Sequence, residues 1–357
     1  MTSTDRRVLP VPSMREICCS DPDLFIQRYP DIAMRNLACA RGLDTIEPNA
    51  FSSYLALIDR IAETVDKETK RCLRIFRIKP AQFHHSEPVY RMMTMEHVFR
   101  KRFGIQYDPM VQDRVKQNGN FRSDDSREIF IHGILSEKRT GTCSSLPTFA
   151  IAVGRRLGYP LKLVLVPNHT LYRWDDGEQQ INFQHTRAGG EIYPDEYFRT
   201  WPHRWTEQDY QINSRSKIWL HSLTPKQEIS KFLCNRAIMM NDRSRWEEAY
   251  EAIAAAERYC PSNPACEPIR MEIDRRKFVV GVYTGRSSQA WSQSPLQQLF
   301  SMMTENARKH LAGQLHDGPV PPDFPNDFFS ANDARNHLQQ PSSPTSPSFS
   351  RTRNPDQ

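Results

Sequence analysis

The chain has 357 residues, 38% of them apolar and 25% charged, enough for one large or two ordinary domains around a sizeable core. Its net charge of +6 is dispersed, with basic and acidic residues alternating as in Arg243-Ser244-Arg245-Trp246-Glu247-Glu248, the pattern of a solvated helix face and not of a nucleic-acid-binding stripe. No apolar run approaches the roughly 18 residues of a membrane span, and the first residues lack the apolar stretch of a signal peptide, so the expected address is the cytoplasm with no membrane partner. The eight cysteines contain no Cys-x-x-Cys pair and no Cys/His grouping at zinc-ligand spacing, so neither a metal, a cofactor nor a disulfide framework is expected.

In chain order, residues 1–28 are polar, proline-containing and aperiodic, and are expected to form a loosely attached arm. Residues 29–106 read as a helical lobe: Leu55, Ile58, Ile61 and Ala62 mark one apolar stripe and Met92, Met95, Val98 and Phe99 another, with Lys79-Pro80 breaking the chain between them. A core domain is expected over 107–222. Its first part is a loop rich in Asp, Asn, Gly and Arg that feeds a short buried helix or strand at 128–135. A strong helix begins near Ser144, with Leu146, Phe149, Ala150, Val153 and Leu157 on one side, Arg155 and Arg156 in its last turn, and Gly158 and Pro160 beyond it. Strands are expected at 161–166, 169–174 and 180–184, with Asp176-Gly177 as a hairpin turn between the second and third. Residues 223–284 return to helical spacing, Phe232, Arg236 and Ala237 on a first helix and Trp246, Ala249, Ala252, Ile253 and Ala256 on a second. Small and aromatic residues at these places resemble one tetratricopeptide unit, which would pack on the core and offer a surface to a protein partner. Residues 285–357 are rich in Ser, Gln, Asn and Pro, a composition expected to stay disordered apart from one helix at 296–311.

The chemistry concentrates around Cys143. A helix start lowers the cost of a thiolate through free N–H groups and the positive end of the helix dipole, and the same N–H groups suit an oxyanion. A nucleophilic thiol needs a base, and the base an orienting partner. A two-residue turn at Asp176-Gly177 sets Leu171 opposite Asn182 and His169 opposite Gln184, all on one face. His169 and Asn182 are then diagonal neighbours at roughly 7 to 8 Å, close enough for Asn182 to orient the imidazole toward the thiol. The bland alternatives are a small buried thiol, a strand-edge histidine and a polar residue on a strand face. His132 and Gln184 read as structural, His84-His85 as loop, and the aromatic stretch at 201–219 as core that closes near the cleft.

The segments Gly141-Thr142-Cys143-Ser144-Ser145-Leu146-Pro147, Gly154-Arg155-Arg156-Leu157-Gly158-Tyr159-Pro160, Pro167-Asn168-His169 and Ile181-Asn182-Phe183 resemble the bacterial transglutaminase-like core family, within the papain-like superfamily. Asn36-Leu37-Ala38-Cys39-Ala40-Arg41-Gly42-Leu43 and the C-terminal helical pair extend the resemblance over about 31–276. The resemblance implies an α+β fold with the cysteine helix packed on an antiparallel sheet, Cys143 as nucleophile and His169 as its histidine. Superfamily enzymes commonly have Asp as third member; here Asn182 stands in its place, as Asn does in papain-like enzymes. The expected function is cysteine-dependent acyl transfer or amide hydrolysis through a thioester on Cys143, on a protein or peptide substrate. The alternative is a transglutaminase fold without turnover that binds a protein segment.

Overall fold

Polar caps start the chain's first helices where the sequence reading expected an arm. The computed structural model describes residues 10–283 except 44, 45, 47–49, 119–122, 124, 185–190 and 203, so the tail at 285–357 and the helix expected at 296–311 lie outside the described residues. Ser13 forms a capping box with Glu16 at the head of α1 (Met14–Cys19), and Asp21 caps α2 (Pro22–Arg28). Ile17 and Phe25 are buried in the main core, which corrects the loose-arm expectation for residues 10–28. One apolar anchor per short helix carries no periodic signal, so tertiary packing supplies what local pattern lacks.

α3 (Ile32–Ala40), α4 (Ala50–Ile78) and α5 (Glu87–Phe103) follow. Ile58, Ile61 and Ala62 on α4 and Met92, Met95, Val98 and Phe99 on α5 face the core, as their spacing dictates. Lys79-Pro80 ends α4 and opens a 3-10 turn at Pro80–Phe83.

β1 (Gln106–Tyr107) leads into α6 (Pro109–Asn118), and the apolar segment after it becomes two single turns, α7 (Ser126–Ile129) and α8 (His132–Leu135). β2 (Thr140–Gly141) pairs in parallel with β1, Tyr107 opposite Gly141. The cysteine turn follows, then α9 (Leu146–Arg156). Only glycine fits at 141, because a Cβ there would lie 2.8 Å from the Ile134 side chain and 2.9 Å from that of Leu146.

β3 (Leu161–Val166), β4 (His169–Asp175), β5 (Gln180–Gln184) and β6 (Glu191–Tyr193) form an antiparallel sheet in chain order. Period-two alternation gives it two apolar faces. Leu161, Leu163, Tyr172, Trp174 and Phe183 join α9 in the main core. Val164, Val166, Leu171 and Tyr193 join Phe198, Trp205 and Leu220 in a second cluster on the other face. α10 (Asp195–Phe198) and α11 (Glu207–Ser216) follow β6. The free edge of β3 is covered by residues 219–223, where the Leu220 and Leu223 N–H groups donate to Leu165 and Leu163 carbonyls.

The β4–β5 register differs from the sequence reading. Asp175 pairs with Gln180 and Arg173 with Asn182, so the loop is the four residues Asp176–Gln179. The Asp176 carboxylate accepts from the Glu178 and Gln179 N–H groups, so its side chain organises a wider loop than the Asp-Gly pair suggests. The slip is two residues on the pair, which preserves the face of every side chain and moves Asn182 along the strand.

The last described elements are α12 (Pro225–Asp242), α13 (Trp246–Tyr259) and α14 (Cys266–Tyr283). α12 and α13 form a close helical hairpin, with Ala237 facing the alanines of α13 in the core. The architecture is α+β. Glu228 on α12 is fully buried and bridges two guanidiniums, Arg35 of α3 at 2.5 Å and Arg155 of α9 at 2.5 Å. Burial works to raise its pKa, but Arg155 and Arg35 outweigh that and hold the carboxyl below its ordinary 4.5. Glu228→Ala leaves two cations facing each other in the core and is expected to cost about 3–5 kcal/mol in urea unfolding. Because the folded pKa is depressed, the stabilisation in the wild type is present above 4.5 and is lost as pH falls through the folded value; E228A unfolding should lack that component of the acid dependence.

Candidate functional site

Cys143 lies in the turn that opens α9, between two hydroxyl residues that build the turn. The Ser145 and Leu146 N–H groups donate to the Thr142 carbonyl, so the helical path effectively begins at Cys143. Thr142 Oγ1 accepts from the Ser144 N–H, while Ser145 Oγ accepts from the Thr142 N–H, and both hydroxyls donate to the Glu128 carbonyl. The Ser144 N–H is thereby consumed, leaving the N–H of Cys143 itself as the donor nearest a bond formed at its sulfur.

Cys143 is half-buried while Gly141, Thr142, Ser144 and Ser145 are buried. Burial pushes its pKa up and outweighs the Lys231 ammonium and then the Tyr107 hydroxyl, which pull the other way. Tyr107 owes its place to the β1–β2 pairing, which sets it opposite Gly141. Lys231 comes from α12, its Nζ 3.0 Å from Ser144 Oγ and 3.4 Å from the Ser144 carbonyl, and Asn235 one turn on donates to the same Oγ at 3.2 Å. Burial lowers the Lys231 pKa to about 8, against the pull of the Cys143 and Cys234 thiols.

His169 starts β4 and pairs with Val166, on the sheet face turned away from α9. Its ring packs edge-on to Trp201 at 4.6 Å between centroids and stacks over Phe198 at 6.5 Å. Nε2 is buried without a hydrogen-bond partner, and no hydrogen bond joins the imidazole to the Cys143 thiol. Burial pushes the pKa down to about 3, and Gln184 is the side chain that acts in the opposite direction.

Asn182 is held elsewhere. Its Oδ1 accepts from Arg173 Nε at 2.6 Å, and its Nδ2 donates to the Tyr193 carbonyl and to Asp195 Oδ1 at 2.7 Å. Arg173 also donates to Asp195 at 2.6 Å, closing a buried network that joins β4, β5 and α10. Asn182 therefore does not orient His169 in this structure; with the wider loop, Gln184 takes the nearer place. The structure brings Cys143 together with Lys231, Tyr107 and Ser144.

His132 is 1% exposed and shares a 3.3 Å hydrogen bond with Ser126, apart from these groups. Among the described residues, no group of three or more His, Cys, Asp or Glu side chains is placed to hold a metal ion. No helix among them is long and apolar enough to cross a membrane. Tyr107 and Lys231 were missed in the sequence. The one available signal was a lysine set among Ile229, Phe232 and Leu233, positions that α12 buries.

A family profile described as the transglutaminase-like superfamily matches residues 53–233, from α4 into α12. No curated protein and no solved structure matches the chain.

The imidazole of His169 makes a further prediction about pH. Its folded pKa of about 3 lies below the ordinary 6.5, so between those values the unfolded chain binds a proton that the folded chain does not. Stability is therefore expected to fall as pH drops from 6.5 toward 3, with His132, lowered to about 4, adding in the same direction. His169→Phe keeps an aromatic ring against Trp201 and Phe198 and should make the acid limb of a urea-midpoint profile measurably shallower.

Proposed function

The chain belongs to the transglutaminase-like superfamily, and from that premise we propose that it transfers or hydrolyses acyl groups from amides of a protein or peptide, through a thioester on Cys143. The observation that carries the reading is the placing of Cys143, a half-buried residue in the opening turn of α9 with a cation and a phenol beside it. In the first step the thiolate attacks the amide carbonyl, the C–N bond breaks, and the amine leaves with a proton. In the second, water or another amine attacks the thioester carbonyl and the thiol is restored.

The resemblance assigns proton transfer to His169, oriented by Asn182. The burial of the imidazole, its lack of a bond to the thiol and the capture of Asn182 by Arg173 and Asp195 do not support that arrangement. The same observations favour a second reading, a transglutaminase fold kept for binding, in which the cleft and the helical hairpin of α12 and α13 hold a protein segment without turnover.

Casein as acyl donor with dansylcadaverine as amine separates the two. Fluorescence is expected to enter casein, with ammonia release when the amine is omitted, and Cys143→Ala should abolish both. If neither product forms and no acyl adduct of Cys143 is found by intact-protein mass, the enzymatic reading fails and the binding reading stands.

A further inference from the structure

Lys231 is a cation in an unusual position. It is 8% exposed, yet no carboxylate among the described residues pairs with it. A desolvated ammonium is costly unless something offsets the charge. Its Nζ is instead held by the carbonyl and hydroxyl of Ser144, the chain neighbour of Cys143, and Asn235 fixes the same hydroxyl from the next turn of α12. These bonds place the ammonium at the cysteine turn, where the Cys143 thiol is able to supply a negative charge. His169, by contrast, is on the opposite sheet face with an aromatic pair around it.

We propose that Lys231, and not His169, sets the ionisation of Cys143, as a positioning residue whose charge favours the thiolate over the thiol. The inference rests on the reading of Cys143 as the reactive residue. When the S–H bond breaks, its proton leaves to water and the thiolate that remains stands beside an ammonium that is already charged. The buried cation thereby gains the counter-charge that the fold otherwise denies it, and the thiol gains the nucleophilic form that burial alone withholds. The remaining titratable groups around the pair are Tyr107 on β1, which faces the thiol, and Cys234 on α12 itself, which lies near the ammonium.

The test reads thiol ionisation, not turnover. Alkylation of Cys143 by iodoacetamide, followed at its own peptide by mass spectrometry across pH, gives an apparent pKa for the wild type, K231M, K231R and H169N. Met replaces the lysine stem and removes an unneutralised charge, so K231M is expected to fold, with circular dichroism as the check; K231Q takes its place if it does not. K231M should raise the apparent pKa by about one unit, roughly tenfold slower alkylation at neutral pH, while K231R restores most of the rate. H169N should follow the wild type. The proposal is overturned if K231M and K231Q titrate with the wild type, or if H169N produces the shift instead. Absence of acyl transfer with the Lys231 dependence intact would remove the enzymatic reading alone.

Discussion

The carboxylate of Glu228, enclosed between Arg35 and Arg155, is the interaction on which the rest of the architecture depends. Two of the three charges, Arg35 and Glu228, are fully out of water, and they are tolerated because each is hydrogen-bonded and the set is nearly closed: Arg35 also donates to the Tyr29 and Pro30 carbonyls, and Arg155 to that of Leu161. One side chain thus fixes α3, α9 and α12 relative to each other. Lys231, one turn further along α12, reaches the turn that opens α9 while Glu228 holds its C-terminal end. The helix that carries the cysteine is held at both ends by a single neighbour, which gives the reactive turn a rigid frame rather than a loop's freedom.

The sheet divides the candidate chemistry. α9 covers one face, and the Arg173–Asn182–Asp195 network is buried on the other, beside the aromatic cluster that encloses His169. A buried polar network with every member bonded specifies one arrangement of its strands, and here it locks β4 and β5 to α10. The thiol, with its own cation and phenol, is a separate local system.

Much of this was legible in the sequence where the pattern is periodic. The stripes of α4 and α5, the extent of α9 and the three strands follow from apolar spacing and from Gly158 and Pro160, and the α+β architecture follows with them. The cysteine turn was legible through Gly141-Thr142-Cys143, since a glycine pressed against Ile134 and Leu146 leaves a fixed trace in composition. Register was not. Asp176-Gly177 is a strong two-residue turn signal, yet the Asp176 carboxylate closes a loop of four residues, a side-chain preference that alternation cannot report because a shift of two leaves every face unchanged. Lys231 was illegible for another reason: its partner at Ser144 is 87 residues away in the chain, and no spacing rule links a lysine on one helix to the turn before another. The short helices α1 and α2 were hidden because Ile17 and Phe25 are isolated apolar residues in a polar stretch.

Those two helices are held by the far end of the described chain. The Ile17 carbonyl accepts from Tyr259 and Arg258 of α13, the Phe25 and Tyr259 rings meet at 5.9 Å, and Lys226 pairs with Asp23 at 3.0 Å. During synthesis, α1 and α2 must therefore wait for α13 before they can complete these contacts, and Arg35 must wait for Glu228 before its charge is matched. Closing loops of 193 residues or more is an entropic toll met late, so a nascent chain that has not reached α12 and α13 carries an exposed Phe25 and an unneutralised Arg35. The docking of α1 and α2 is thus dictated by α12 and α13, and residues 14–28 stay exposed until those helices exist.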